Sequence, residues 1–430
     1  MNTLNQSIFS VNLVLMFFCY GAIGFFNLFG LSIIIKFITM SLCVFGVIAI
    51  FQNKYTIKNR MNVLMVLLFF GYYGLMKTFE SGSILNGIIN AALMMVVSLF
   101  ILSCETKYLL FIAKKICAIN VLFCIFGIGV FAAYFFDSAV FNRNSSYIMH
   151  SDVGDTKIQA QSIYDYFCFT SGDGFDFFGT QIMRVKGYCN EPSATIPHYI
   201  GPITLMFLCK RISYLWAIIA IAFSFFCIAS GVGIVIVLCA IGFYFIIQIK
   251  SKALITNIIV ICSLIVAVGM LYSDVIINSI TIYGGDVYQQ TNYDLILRKQ
   301  ESAATRLQSY SEAVSSIIAY PFGGSGMITM TGLWTTVGLA GGIILLPIYF
   351  GFVIKIVKLA VATFIGCQKI KIKMGIALML STVIIATCLS SYGWARIPGV
   401  ILFFLYYRFL CAELEEIKRK SKKQLRFKNV

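Results

Sequence analysis

The chain has 430 residues, 60% of them hydrophobic and only 12% charged, with a formal net charge of +16. A soluble protein of this length carries about twice that charge fraction. This much apolar surface exceeds what one globular core can bury, which excludes a soluble globular enzyme and leaves a chain solvated partly by lipid.

Backbone groups inside a bilayer have to be satisfied internally, so spanning segments are helices or closed barrels. The apolar runs here are continuous rather than alternating, and the expectation is an all-α polytopic membrane protein. Each crossing needs roughly 20 apolar residues. In chain order the candidate spans are Ser10–Leu28, Gly30–Ile50, Met61–Met76, Asn86–Ser103, Ile116–Phe136 and Ala194–Cys209. Tyr214–Ala229, Gly231–Ile249, Ala253–Tyr272, Thr331–Ile354, Met374–Leu389 and Trp394–Leu410 complete a set of about 12. The first segment has no short apolar core with a small-residue cleavage site, and reads as a retained anchor. Two hydrophilic stretches, 137–193 and 273–330, interrupt a single membrane domain over 1–430 that ends in a basic tail, 411–430. No internal repeat is visible.

Charge orients the array. With the N-terminus inside and the spans alternating, 23 of the 33 Lys and Arg residues fall on inner loops and the tail. Of 17 acidic residues, only Glu105, Glu413, Glu415 and Glu416 fall there. Short inner loops rich in Lys and Arg are what the positive-inside rule requires. Both termini are therefore expected in the cytoplasm and both long loops on the outer side. The positive charge needs no nucleic acid as partner. The tail from Lys418 to Lys428 could hold anionic headgroups at about 1 kcal/mol per residue, or simply fix topology.

No zinc spacing and no nucleotide-binding loop of the G-x-x-x-x-G-K-[ST] kind is present, and no cofactor is expected. Of 14 cysteines, only Cys168 and Cys189 fall on an outer loop. A disulfide between them is one reading, worth roughly 3 kcal/mol in the chain-entropy model. The rest are expected as reduced or packing thiols.

The informative residues lie on the two outer loops. The first loop is polar and irregular over Asp137–Ile163, then reads S-G-D-G-F-D-F-F-G over Ser171–Gly179. Asp173 and Asp176 there suit a turn or a metal. The loop ends as R-V-K-G-Y-C-N-E-P, Arg184–Pro192, directly before a span. Pro192 disfavours helix at Glu191, which would hold that carboxylate at the mouth of the bundle. An interfacial anchor is the alternative. The second loop carries an amphipathic pattern over Leu295–Ala319, with Arg298, Lys299, Arg306 and Glu312, and with Ala303, Leu307, Tyr310, Val314 and Ile317–Ile318 at helical spacing. Pro321–Gly326, P-F-G-G-S-G, then breaks it. Those glycines suit either a nest of amides around an anion or a helix stop at the membrane.

Together the two segments resemble the O-antigen polymerase family and its wider superfamily with the O-antigen ligases. One loop of such proteins ends in an R-x-x-G-x-x-x-E-P-like motif, matched by Arg184, Gly187, Glu191 and Pro192. A second loop carries an Arg-bearing helix followed by P-x-x-G-x-G, matched by Arg306, Pro321, Gly324 and Gly326. The resemblance implies a glycosyltransferase of the bacterial inner membrane with large periplasmic loops. Its substrate would be an undecaprenyl-pyrophosphate-linked oligosaccharide, with a flippase and a chain-length regulator as companions. The growing chain passes from its carrier to a sugar hydroxyl of a new unit, and undecaprenyl pyrophosphate leaves.

A pyrophosphate gaining charge needs fixed cations, and guanidinium groups fit phosphate oxygens in pairs. Arg184 and Arg306 suit that role, with Arg298 behind them. Glu191 could act as general base, a contribution of about 10²–10⁴-fold, or could orient Arg184 or bind sugar hydroxyls. Two lipid tails must reach the site, which predicts a groove near the Pro-rich start of the sixth span, where Pro197 and Pro202 should kink the helix or free carbonyls. His198, between them, suits substrate or an interfacial aromatic belt. Lys36 suits snorkelling or a carrier phosphate. Arg396, beside Trp394, suits a phosphate or an interface anchor.

An O-antigen ligase, a lipid-linked oligosaccharide flippase and a non-catalytic envelope scaffold are the rival readings. Ligases resemble this chain but carry a His in the second outer loop. This sequence has only His150 and His198. Transporters concentrate polar groups at the midplane of repeated halves, whereas here they gather on two unequal loops.

Overall fold

Continuous runs of Leu, Ile, Phe and Val leave a lipid-solvated backbone only the helix, and helices dominate the computed structural model. It describes residues 2–21, 32–52, 60–82, 85–136, 146–151, 154–159, 174–177, 180–183, 192–209, 216, 218–220, 231–248, 308–325, 332–388 and 396–428. The helices are α1 (Asn2–Gly21), α2 (Ser32–Gln52), α3 (Arg60–Ser81), α4 (Asn90–Ser103) and α5 (Thr106–Phe136). After the first long loop come α6 (Pro192–Leu208) and α7 (Gly231–Gln248). A helix over 308–319, α8, precedes α9 (Leu333–Gly366), α10 (Ile370–Cys388) and α11 (Ile397–Lys428). A π-helical turn, Leu85–Ile89, leads into α4, and a Cβ on its Gly87 would fall on Thr78 of α3.

Ten of the twelve expected spans coincide with one of these helices. Nearly all of Tyr214–Ala229 and all of Ala253–Tyr272 lie outside the described residues. Among the described residues, five helical segments are long and apolar enough to cross a membrane: Met61–Glu80, Thr106–Gly129, Leu333–Gly366, Ile370–Cys388 and Ile397–Ser421. These suit a membrane protein that crosses more than once.

Side-chain contacts fix the relative directions of the helices. Asn62, near the start of α3, meets Lys355 late in α9 and Tyr407 in α11. Met76, near the end of α3, lies against Gly324, between α8 and α9. The bundle thus has a loop end, where α3 and α10 finish and α6, α9 and α11 begin. Its opposite, tail end carries Gly366 and Lys428.

At the tail end the helices outrun their hydropathy. α5 starts at Thr106 rather than Ile116, α9 continues past Ile354 to Gly366, and the tail is helical through Lys428. Hydropathy marks bilayer thickness, not the last hydrogen-bonded turn. Pairs at i,i+4, Glu415 with Arg419 at 3.8 Å and Glu416 with Lys420 at 2.6 Å, favour that extension. Gly366 sits against Ile417, so the two extensions pack on each other.

α6 is the central helix. From His198 to Leu208 nearly every residue is buried, against α5, α10 and α11. Its two internal prolines do not interrupt it. Instead, side chains from neighbouring helices reach carbonyls beside Pro202: Tyr406 Oη donates to Gly201 O at 3.0 Å, Asn120 Nδ2 to Tyr199 O and Cys117 Sγ to Pro202 O, both at 3.3 Å. That packing encloses α6 from His198 to Leu208; the side chains at its start, 192–197, where a groove was expected, lie outside the described set.

The first long loop contains regular structure where an irregular chain was expected. Two antiparallel hairpins form, Ser146–Ser151 with Gly154–Gln159 and Gly174–Phe177 with Thr180–Met183. Asp176 is therefore a strand residue opposite Gln181, not a turn residue, while Asp173 lies outside the described residues. None of the cysteines whose side chains are described forms a disulfide; Cys168 and Cys189 lie outside the described residues. Burial pushes the Cys104 thiol, between α4 and α5, up to about 12. Lys36 belongs to α2, with its side chain outside the described set.

Candidate functional site

The loop end gathers the described motif residues, and backbone chemistry explains how. In an uninterrupted helix the Ile343 amide would donate to Leu339 O. Gly342 instead adopts φ +51°, outside helical geometry. Ile343 N donates to Pro321 O at 2.8 Å, and the Leu339 carbonyl accepts from Gly324 N at 3.2 Å. The P-F-G-G stretch is thus spliced into the hydrogen-bond ladder of α9. Two glycines make the approach feasible. A Cβ on Gly342 would fall on the Pro321 carbonyl, and one on Gly323 (φ +92°) on the Ala340 carbonyl. The amides of Gly323 and Gly324 are engaged by Tyr320 O and Leu339 O. Of the two readings of this stretch, the described backbone matches the helix stop.

α8 and α3 hold the splice in place. Tyr310 of α8 stacks on Trp334 of α9, with centroids 6.2 Å apart and 19° between planes. Tyr72 Oη of α3 donates to Phe322 O at 2.8 Å, and Met76 lies against Gly324. The packed stripe of α8 is Tyr310 and Ala313, both buried, with Ile317 half-buried against Gly338. Val314 and Ile318, expected on the same face, are exposed along with Tyr320 and Phe322. Three-residue spacing after Tyr310 selects Ala313 rather than Val314, because the helix packs by its small residue.

An apolar cleft with room for about 100 Å³, partly open, lies between α3, α4, α9 and α11. Phe69, Phe70, Tyr73, Phe352, Phe403 and Phe404 supply its aromatic walls. Its lining belongs to the third, fourth, tenth and twelfth expected spans, not to the sixth.

Two further candidates come together nearby. His198 of α6 is 3% exposed and meets the ring of Phe17 edge-on at 5.3 Å. That burial excludes the lipid-facing aromatic belt. Arg396 lies close enough to His198 to act on it electrostatically. It also opens α11 one turn before Gly399 and Val400, which line the cleft. Arg184, Gly187, Glu191, Arg298, Arg306 and Gly326 lie outside the described residues. Pro192 is the first residue of α6, with its side chain outside the described set.

Sequence reasoning overlooked Lys77 and Glu80 at the loop end of α3. Lys77 Nζ bonds Glu80 Oε2 at 2.5 Å, and the Glu80 side chain is only 7% exposed. The available signal was a Lys-x-x-Glu pair at the outer limit of a span otherwise free of charge. Among the described residues no cluster of His, Cys, Asp and Glu could hold a metal ion. No family model, curated protein or solved structure matches the chain.

Proposed function

We propose that this chain is a polysaccharide polymerase of the bacterial inner membrane. It joins oligosaccharide repeat units carried on undecaprenyl pyrophosphate, at the face bearing its two long loops. In this reading it crosses the bilayer about twelve times with both termini in the cytoplasm, as the distribution of Lys and Arg requires.

The observation that carries the reading is the aromatic cleft, whose α9 wall of Leu333, Thr336 and Val337 leads into the P-F-G-G splice. A long apolar carrier requires an apolar slot within the bundle, and a sugar acceptor requires polar groups at its mouth. The second-loop motif and the slot are built into one another through α9. Arg184 and Arg306 neutralise the departing pyrophosphate, with Arg298 behind them. Glu191 receives the acceptor hydroxyl proton or holds Arg184. His198 and Arg396 form a second polar pair near the start of the cleft. Gly187, Pro192 and Gly326 shape the two loop ends. A chain-length regulator and a flippase act alongside, and no cofactor takes part.

The test is glycan laddering in cells carrying Arg184→Ala, Arg306→Ala or Glu191→Gln, with membrane levels of each variant matched. The expected result is collapse of the ladder to a single capped repeat for the arginine variants, with about 10²-fold or greater loss for Glu191→Gln if it is the base. A normal ladder from all three would refute this site. A parent strain with no ladder would return the question to transport or scaffolding.

A further inference from the structure

One stripe of α3 runs from the cleft to the polar end of the bundle. Phe69, Tyr73, Lys77 and Glu80 follow at i, i+4, i+8 and i+11, which places them above one another on a helix surface. Phe69 and Tyr73 line the cleft. At 1.5 Å per residue, Glu80 stands about 10 Å beyond Tyr73 along the helix axis. The neighbouring stripe, Tyr72 and Met76, contacts the P-F-G-G splice. The pair thus stands at the loop end of the bundle, above the aromatic cleft on one stripe of α3 and next to the stripe that touches the spliced loop.

The two carboxylate oxygens of Glu80 differ. Oε2 accepts from the Lys77 ammonium. Oε1 is buried and has no hydrogen-bond donor among the described residues. A buried acceptor on a charged group is costly when it lacks a donor. Retaining one about two helical turns beyond an apolar cleft is reasonable if a ligand supplies the missing proton. The chemistry selects the ligand: a carboxylate oxygen repels phosphate and takes an O–H donor.

We infer that Glu80, fixed by Lys77, binds a hydroxyl of the sugar attached to the lipid whose chain occupies the cleft. The inference rests on the polymerase reading and adds a sugar-recognising residue from α3, outside both long loops. Lys77 holds the carboxylate turned, so that Oε2 stays with the ammonium and Oε1 remains for the sugar.

The experiment compares two probes on the full-length protein in lipid nanodiscs. One is undecaprenyl pyrophosphate without sugar, and the other is the lipid-linked oligosaccharide extracted from the parent strain. In Glu80→Gln the amide oxygen turns to Lys77, and a donor NH₂ replaces the acceptor. The expected result is about tenfold weaker binding of the sugar-bearing lipid, the size of one hydrogen bond to a charged group, with sugar-free binding unchanged. Where Glu80→Gln does not fold, Glu80→Asp carries the same comparison, since it keeps the charge and withdraws the oxygens by one methylene. Wild-type binding of both lipids by the folded variant overturns the inference and leaves the polymerase reading standing. Failure of the wild-type protein to bind either lipid overturns both.

Discussion

The two ends of the bundle use polar groups differently, although each holds a buried polar atom without a hydrogen-bond partner among the described residues, Arg408 Nε at one and Glu80 Oε1 at the other. At the tail end, Asn62 bridges three helices: its carbonyl oxygen accepts from Lys355 of α9, and its amide donates to Tyr407 Oη of α11 at 2.8 Å. Lys355 also lies 5.9 Å from the Tyr407 ring centroid. Arg408 Nη2 donates to the Cys104 carbonyl at 2.9 Å, joining α11 to the α4–α5 turn. At the loop end the ladder of α9 is broken and repaired by a foreign strand of chain, and one oxygen of a buried carboxylate has no donor among the described residues. The tail end is organised to hold helices together. The loop end carries geometry whose local cost has to be offset elsewhere, the pattern expected where a site has been built.

The comparison breaks most sharply at Gly342. Gly342→Val places a Cβ on the Pro321 carbonyl at a left-handed φ, and should cost on the order of 3 kcal/mol. Thermal unfolding of the detergent-solubilised protein and the glycan ladder should both show it. Gly242→Ala in α7, where an added Cβ meets nothing within 4 Å, should be neutral or stabilising by about 0.5–1 kcal/mol. If the two variants behave alike, the splice has no mechanical role.

Next is Asn62→Leu, which leaves both Lys355 and Tyr407 without that partner and should cost about 2 kcal/mol in a melt. On the proposed polymerase reading the ladder should keep its wild-type length, because that reading places the chemistry at the loop end. A shortened ladder at matched membrane level would contradict the division of labour between the ends. Val337→Trp fills the cleft from the α9 wall. It should reduce polymer several-fold while the melting temperature stays near the parent's, and a fall in stability alone would show that the cleft is only a packing gap. The smallest effect belongs to Glu416→Gln. Its pair with Lys420 lies on the solvated tail, with the two side chains 41% and 64% exposed. Such pairs contribute little, so neither melt nor ladder should move.

Much of this was legible from periodicity and charge, for identifiable reasons. Apolar runs the length of a bilayer specify helices because lipid offers no partner to a backbone amide. Ten expected spans accordingly fall on helices. The importance of Pro321 and Gly324 was also visible, because a proline and closely spaced glycines after an amphipathic helix mark a stop. What the glycines were for was not visible: their contact is with Ala340 and Gly342, some twenty residues downstream. The burial of His198 was equally hidden, since hydropathy does not tell a helix facing lipid from one enclosed by α5, α10 and α11. Glu80 escaped notice because its meaning depends on Tyr73 below it and the spliced loop beside it.

The sequence by itself determined a helical, membrane-solvated chain, the side on which its basic residues gather, and two polar loops. Those features follow from local chemistry summed over twenty or so residues. Only the tertiary structure decided which helices enclose the cleft, where the loop threads into α9, and which carboxylate oxygen lacks a donor. Contacts between residues far apart in the chain depend on shape complementarity between helices, and in lipid that is set by close packing and a few hydrogen bonds rather than by hydrophobicity.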